Sequence, residues 1–319
     1  MTEVVLGIDT SNYRTSLAAV DPEGNILINI RKLLPVQQGG RGLRQSDAVF
    51  LHLRQLTLAE DALRLLRRDG YKPSAIAVSD RPRDGEDSYM PVFQAGITAA
   101  VMIAGALDIP LYRTTHQRGH LAAAAKGTVL EGREKYLAVH LSGGTTDLLA
   151  VQPDRIDRLG SSLDLHAGQL VDRVGVSMGL SFPAGPELET LALGGTSEGR
   201  LGASMADGDL SCHLSGAESQ AQRWIQDKTV SRADCAREIY DVLARTVSRM
   251  ISAGSRKTGL REVLVTGGVA GSELFREMLA ERCSRLRGTP EPFFGDRALS
   301  GDNAVGVALT GLQRLTRGC

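Results

Sequence analysis

A pattern of strand, small-residue turn and strand occurs twice in the chain. It runs through VVLGIDTS and RTSLAAVD (residues 4–21) and again through YLAVHLSGGTTDLLAVQ (136–152). A third strand follows each copy, EGNILINIRKLL (23–34) and DRIDRLGSSL (154–163). A repeat of this long period predicts two related α/β halves, each a hairpin-led sheet with helices, rather than a solenoid. A length of 319 residues agrees, because it exceeds what one compact core usually holds. The join falls in KGTVLEGRE (126–134), giving subdomains of residues 1–130 and 131–319.

Helical spacing of apolar residues predicts one helix over 45–70, stopped by Gly70. PSAIAVSD (73–80) reads as a short buried strand, and FQAGITAAVMIAGALDI (93–109) as a buried helix. Further helices are expected over 166–180, 184–193 and 215–253. LREVLVTGGVAGS is a strand ending in a glycine turn, and GDNAVGVALTGLQRL is a closing helix expected to pack back on the first half.

Two glycine turns follow apolar strands, LSGGTTD with Gly143 and Gly144, and VTGGVAGS with Gly267 and Gly268. Glycine lets a backbone approach an anion closely, and adjacent N–H groups and hydroxyls can hold phosphate oxygens. Either turn alone reads first as a tight corner. Both together, with a matching polar hairpin at Asp9–Thr15, suggest facing hairpins lining a nucleotide cleft. Neither GxxxxGK[ST] nor a strand-borne GxGxxG occurs, so a P-loop and a Rossmann site are not indicated.

His116 and His120 stand four apart in RTTHQRGHLAAAAK (113–126), on one helix face and close enough to chelate one ion. Position 117 is Gln, so the general-base Glu of HExxH metalloproteases is missing. A third ligand must come from elsewhere. Asp302 in LSGDNAVG is a candidate, and an N-cap for the last helix is its other reading. Two His and one carboxylate with open positions suit Fe2+, with Zn2+, Mn2+ or Mg2+ as alternatives. His52, His140, His166 and His213 have no spacing partner and read as structural.

The net charge is zero, so no global field draws the chain onto nucleic acid. Cys212, Cys235, Cys283 and Cys319 form no CxxC pair, which argues against a disulfide framework or a cysteine zinc site and for a reducing cytoplasm. No signal-peptide pattern is present, and no apolar run reaches the roughly 18 residues of a membrane span.

In order along nearly the whole chain, LGIDTS, GGRGLRQSDAVFLH, THQRGHLAA, VHLSGGTTDLL, HAGQLVDRVGVSMGLSFPAGPELETLA, CHLSGAESQ, VTGGVAGSELFREML and SGDNAVGVALTG resemble the motifs of the TsaD family. That family makes threonylcarbamoyladenosine in tRNA and was formerly described as a glycoprotease. The resemblance implies an actin-like ATPase (ASKHA) fold of two ribonuclease-H-like subdomains with a cleft between them. It implies that His116, His120 and Asp302 hold a divalent metal. It implies an adenine nucleotide, ATP or threonylcarbamoyl adenylate, on Gly143, Gly144, Gly168, Asp172, Gly185, Gly267, Gly268 and Ser272. Asp172 would bind the ribose hydroxyls; by itself it reads as a solvated helix charge. The implied reaction moves a threonylcarbamoyl group from its adenylate to the exocyclic amine of a tRNA adenosine.

The chain departs from the family pattern at several places. Asn12, Tyr13, Arg14 and Thr15 replace Cys-Asp-Glu-Thr, and RPRDGEDSYM (81–90) replaces a Gly-Pro-Gly loop. Thr145 stands where His or Asn is usual, Gln169 replaces Glu, and Ser272 replaces Asn. Arg14 is expected to clamp a phosphate, and Arg14, Ser142 and Thr145 are the candidate catalytic residues. The alternative is a divergent non-catalytic or re-purposed paralogue that binds nucleotide or metal and acts as a partner subunit. Family partners are tRNA, a smaller paralogue of the same fold and a small ATPase, with a homodimer as another assembly. Arg41, Arg44, Arg54, Arg67 and Arg68 are a candidate tRNA patch, read first as a solvated helix face.

Overall fold

The computed structural model describes residues 1–11, 14–35, 43–85, 88–299, 301 and 303–318. The expectations for Asn12, Tyr13, Arg41 and Asp302 lie outside the described residues. The chain forms two compact units, residues 1–126 with 296–319, and residues 127–295.

Unit 1 starts with three antiparallel strands, β1 (Thr2–Asp9), β2 (Arg14–Val20) and β3 (Ile26–Leu33). Two helices follow, α1 (Gln45–Gln55) and α2 (Leu58–Arg68), where helical spacing had predicted one. Thr57 at the break turns its hydroxyl back to the Arg54 carbonyl, a local bond that competes with the helix ladder. Next come β4 (Tyr71–Arg81), α3 (Phe93–Leu107), β5 (Leu111–Thr115) and α4 (His116–Ala125). The sheet order is β3-β2-β1-β4-β5, with β1, β4 and β5 parallel. Parallel pairing needs crossovers, and the helices of this unit supply them.

The helix α3 is not buried all round, as its apolar composition had suggested. Ala95, Gly96, Ala100 and Ala104 are buried, while Val101, Met102 and Leu107 are exposed. Thr10 just beyond β1 fixes its start, accepting from Gly96 N and donating to the Val92 carbonyl.

Unit 2 repeats the plan. β6 (Tyr136–Leu141), β7 (Thr146–Val151) and β8 (Ile156–Ser161) are antiparallel. Then come α5 (Ala167–Ser177), α6 (Gly185–Leu193), the short pair β9 (Ser204–Ala206) and β10 (Ser211–His213), α7 (Ser215–Asp227) and α8 (Arg232–Thr258). The stretch 215–253, expected as one helix, breaks where Lys228 turns left-handed and Ser231 caps α8 by accepting from Asp234 N. β11 (Val263–Thr266), α9 (Glu273–Arg285) and β12 (Pro292–Phe294) complete the unit. Its sheet order, β12-β11-β6-β7-β8, is that of unit 1 strand for strand, and the β6–β11–β12 ladder is again parallel. Leu137, Val139, Leu148, Val263 and Val265 from this sheet join one core with Ile239, Leu243 and Val247 of α8.

The last helix, α10 (Val305–Arg317), belongs to unit 1 and packs on β1, β4 and α4. Glycines bring the surfaces together. A Cβ on Gly306 would lie 1.7 Å from the Gly119 carbonyl oxygen, and one on Gly311 would lie 2.6 Å from Ala77 Cβ. No helix among the described residues is long and apolar enough to cross a membrane.

Candidate functional site

Three adjacent parallel strands of unit 1 end together. Asp9 is the last residue of β1, Ser79 lies near the end of β4, and His116 begins α4 directly after β5. The carboxyl ends of parallel strands are where open α/β sheets bind ligands, since the backbone leaves the sheet there. Thr115 caps α4 by accepting from Arg118 N at 3.2 Å, so the strand passes into the helix without a loop. That places His116 in the first turn and His120 one turn later.

The imidazoles meet as the spacing requires. His116 Nε2 and His120 Nε2 are 2.9 Å apart, and their rings cross at 79°. On its far side His116 Nδ1 lies 2.8 Å from Asp9 Oδ2. The buried Asp9 carboxylate also accepts from Ser79 Oγ at 2.6 Å, Ser11 N at 3.0 Å and Ser11 Oγ at 3.0 Å. Burial alone would raise the Asp9 pKa. The His116 charge and the bonds from His116, Ser79 and Ser11 outweigh it and hold the carboxyl below the usual carboxylate range. Two imidazole nitrogens turned to one point, one of them oriented through its other nitrogen by a carboxylate, form a donor set that fits a divalent transition metal. Among the described residues no group of three His, Cys, Asp or Glu side chains makes a metal cluster. Asp302, the candidate third ligand, lies outside them. Buried Asn303 accepts at Oδ1 from the N–H of Val305, the first residue of α10, at 3.0 Å.

Arg14, at the start of β2, lies near Gly301: a Cβ on that glycine would stand 3.9 Å from Arg14 Nη1. The loop after β4 is tied to α4. Pro82 O accepts from Gln117 N, and Asp84 takes a two-pronged bond from Arg118 at 3.2 and 2.7 Å. His52, read as structural, is buried and pairs with Thr15 Oγ1 through Nδ1 at 2.8 Å.

The glycine turns of unit 2 occupy the equivalent strand ends. Ser142–Thr145 joins β6 to β7, and Gly267–Gly268 follows β11. Ser142 Oγ lies 3.0 Å from Thr145 Oγ1 and accepts from Gly144 N and Thr145 N, so this turn already satisfies two of its amides. Gly168, in the first turn of α5, is pressed on it: a Cβ there would lie 2.6 Å from Gly143 N. Gly267 has φ +102°, and a Cβ would lie 2.2 Å from the Leu141 carbonyl oxygen, so only glycine fits. Gly143, Gly144 and Gly268 face open space instead, which leaves their backbone approachable.

Asp172 is more than a solvated helix charge: its Oδ1 accepts from Ala184 N at 2.8 Å and fixes the turn into α6. Gly185, next in that turn, accepts at its carbonyl from Tyr240 Oη at 3.1 Å. Burial, followed by the charges of Glu189 and Asp172, pushes the Tyr240 phenol above its ordinary range, so it stays a donor. Ser272 caps α9 by accepting from Phe275 N, and Glu189 accepts from Leu274 N. The structure thus gathers Asp172, Gly185 and Ser272 around Tyr240. Ser79, Asn303 and Tyr240 were not singled out in the sequence as site residues, and Asp9 entered only as the first residue of the polar hairpin Asp9–Thr15.

Residues 54–308 match the family model for TsaD, tRNA N6-adenosine threonylcarbamoyltransferase. The chain belongs to the TsaD family. A tRNA N6-adenosine threonylcarbamoyltransferase of Methanopyrus kandleri is 29% identical over 314 residues, 97% of this chain and 87% of the relative. Among solved structures, HypF of T. kodakarensis is similar with a TM-score of 0.62 and 14% identity, covering 99% of this chain and 48% of that one. This TsaD-family chain thus spans about half of that protein. A ROK hexokinase from Thermus thermophilus has a TM-score of 0.56 at 16% identity, covering 99% of this chain and all of the other. At such identities the likeness shows the fold, the actin-like ATPase (ASKHA) architecture that the TsaD motifs implied.

Proposed function

We propose that the chain is a metal-dependent transferase that moves a threonylcarbamoyl group from its adenylate to the exocyclic amine of a tRNA adenosine. The observation that carries the reading, beside family membership, is the His116–His120 pair oriented by Asp9. His116, His120 and Asp302 would hold the metal, which when bound supplies a Lewis acid for the carbamoyl or phosphate oxygens. With a metal bound, a neutral His116 donating from Nδ1 to Asp9 would turn the Nε2 lone pair to the ion. Arg14 adds a fixed positive charge near Gly301, suited to a phosphate.

In unit 2, Gly143, Gly144 and Gly268, which face open space, would let an adenine nucleotide approach the backbone, and the Ser142 and Thr145 hydroxyls would serve its phosphates. The Ser142 hydroxyl must rotate for the Gly144 and Thr145 amides to serve the ligand. Asp172 retains Oδ2 for ribose hydroxyls while Oδ1 holds the turn. Transfer between two bound substrates depends mainly on alignment and charge stabilisation, and no Ser–His nucleophile is required.

Metal content and threonylcarbamoyl transfer to unmodified tRNA, with and without the family's partner proteins, test the reading. The His116→Ala/His120→Ala variant should lose both. Stoichiometric metal in the wild type without any transfer, even with partners present, would favour the re-purposed paralogue instead.

A further inference from the structure

Four arginines line one solvent-open cleft of about 310 Å3 in unit 2, on α8 and α9, the two helices that flank the Gly267–Gly268 turn in sequence. Arg245 and Arg249 come from α8, and Arg282 and Arg285 from α9; the other lining residues include Ser248, Thr246 and Leu286, and no carboxylate. On α8, Arg245, Arg249 and Arg256 share one helix face with Ser252, and Arg256 donates to Ser252 Oγ at 2.7 Å.

The carboxylates lie behind or beside this cleft. Asp241 is fully buried and takes Arg245 Nε at 2.7 Å and Arg282 Nη2 at 2.8 Å, bracing the two helices. With the Leu201 carbonyl it uses two donors of Arg245 and one of Arg282, out of about five on each guanidinium. The remaining pairs, Arg249 with Asp209 and Arg285 with Glu281, are exposed, with the arginines 49% and 65% accessible. Exposed pairs contribute little, so an incoming polyanion can displace them. No aromatic ring lines the cleft, so there is no platform for base stacking.

We infer that this cleft binds the phosphodiester backbone of RNA, as a docking site for the tRNA body apart from the residues proposed for chemistry. The inference rests on the proposed function for its choice of RNA as the polyanion. Arginine forks held from behind by a buried carboxylate are pre-organised for phosphate oxygens. Contacts of this kind position a nucleic acid without reading its sequence.

The test is binding of an unmodified tRNA transcript to the full-length chain over a salt series, for wild type, Arg249→Gln/Arg285→Gln and Arg249→Lys. An Arg64→Gln/Arg67→Gln/Arg68→Gln variant on α2 is the basic-surface control. Arg249 and Arg285 are exposed, so their variants should keep the wild-type melting temperature. The double variant should bind roughly tenfold more weakly, with the slope of log Kd against log salt reduced by about 1–2. Arg249→Lys should keep most of the affinity. A double variant that binds as wild type does, with an unchanged slope, overturns the inference and leaves the proposed function standing. A loss confined to the α2 variant also overturns it and moves the RNA to that helix. A wild-type chain that binds no tRNA overturns the inference together with tRNA as the acceptor.

Discussion

Asp9 and His116 are 107 residues apart in the chain and 2.8 Å apart in the fold. The contact exists because β1 and β5 flank β4 in a parallel ladder, so their carboxyl ends emerge side by side. It converts a two-histidine helix face into an oriented pair. Asp9→Asn should therefore weaken metal binding by about 10- to 100-fold, the usual effect of losing a carboxylate that orients a ligating histidine. Metal titration with a competing chelator reads this directly. An unchanged affinity would mean that Asp9 serves the fold alone.

Gly306→Ala should separate α4 from α10, because the new methyl would meet the Gly119 carbonyl at 1.7 Å, with backbone on both sides. Overpacking of this kind costs about 1–3 kcal/mol or more. Denaturant unfolding should show that loss, with metal affinity falling in parallel because Gly119 sits between His116 and His120. Gly143→Ala, at a position facing open space, is the contrasting variant and should leave stability near wild type.

Asp164 ties the end of β8 to the start of α7, accepting from Leu214 N at 2.8 Å and from the backbone and hydroxyl of Ser215. Burial would raise its pKa, but the Ser215, Leu214 and Leu165 bonds outweigh that and hold it at about 2, against an ordinary 3.8. A folded-state pKa below the unfolded one adds stability above the unfolded value, which is lost as pH falls through the folded value. The stability advantage of wild type over Asp164→Asn should thus be full above about pH 4 and shrink toward pH 2. Chemical denaturation of both proteins across that range measures it. A difference independent of pH would remove the carboxylate from the explanation.

Asp241 is the buried partner of two arginines on different helices. Asp241→Ala leaves both without it. Breaking a buried pair costs about 3–5 kcal/mol, and the partial exposure of Arg245 and Arg282 lowers the expectation to about 2–3 kcal/mol. Equilibrium unfolding should show it, and Arg282→Met should cost less, since it removes a half-exposed charge and leaves Asp241 paired with Arg245.

Local pattern carried much of this protein. Alternation and small-residue turns placed the hairpins of both sheets, and the long-period repeat announced two sheets of one plan. The spacing of His116 and His120 put their rings on one face, because a helix brings residues four apart together whatever surrounds it. Gly267 was legible as part of a tight turn, since its φ of +102° and its approach to the Leu141 carbonyl exclude a side chain. Helix ends were less legible. The breaks at Thr57 and at Lys228–Ser231 depend on single hydrogen bonds and one left-handed residue, which apolar spacing does not register.

What tertiary structure decided were the pairings between distant segments. Asp9 acquired a role only when parallel strands brought it to His116. Asn303, buried, acquired a role only where its side chain met the first N–H of α10 at Val305. The arginines of α8 and α9 became one cleft only through Asp241 between them. The physical reason is common to all three. A chain's short-range periodicity determines which side chains share a face, while sheet register and helix packing determine which faces meet. Those are set by the whole core and not by any one segment.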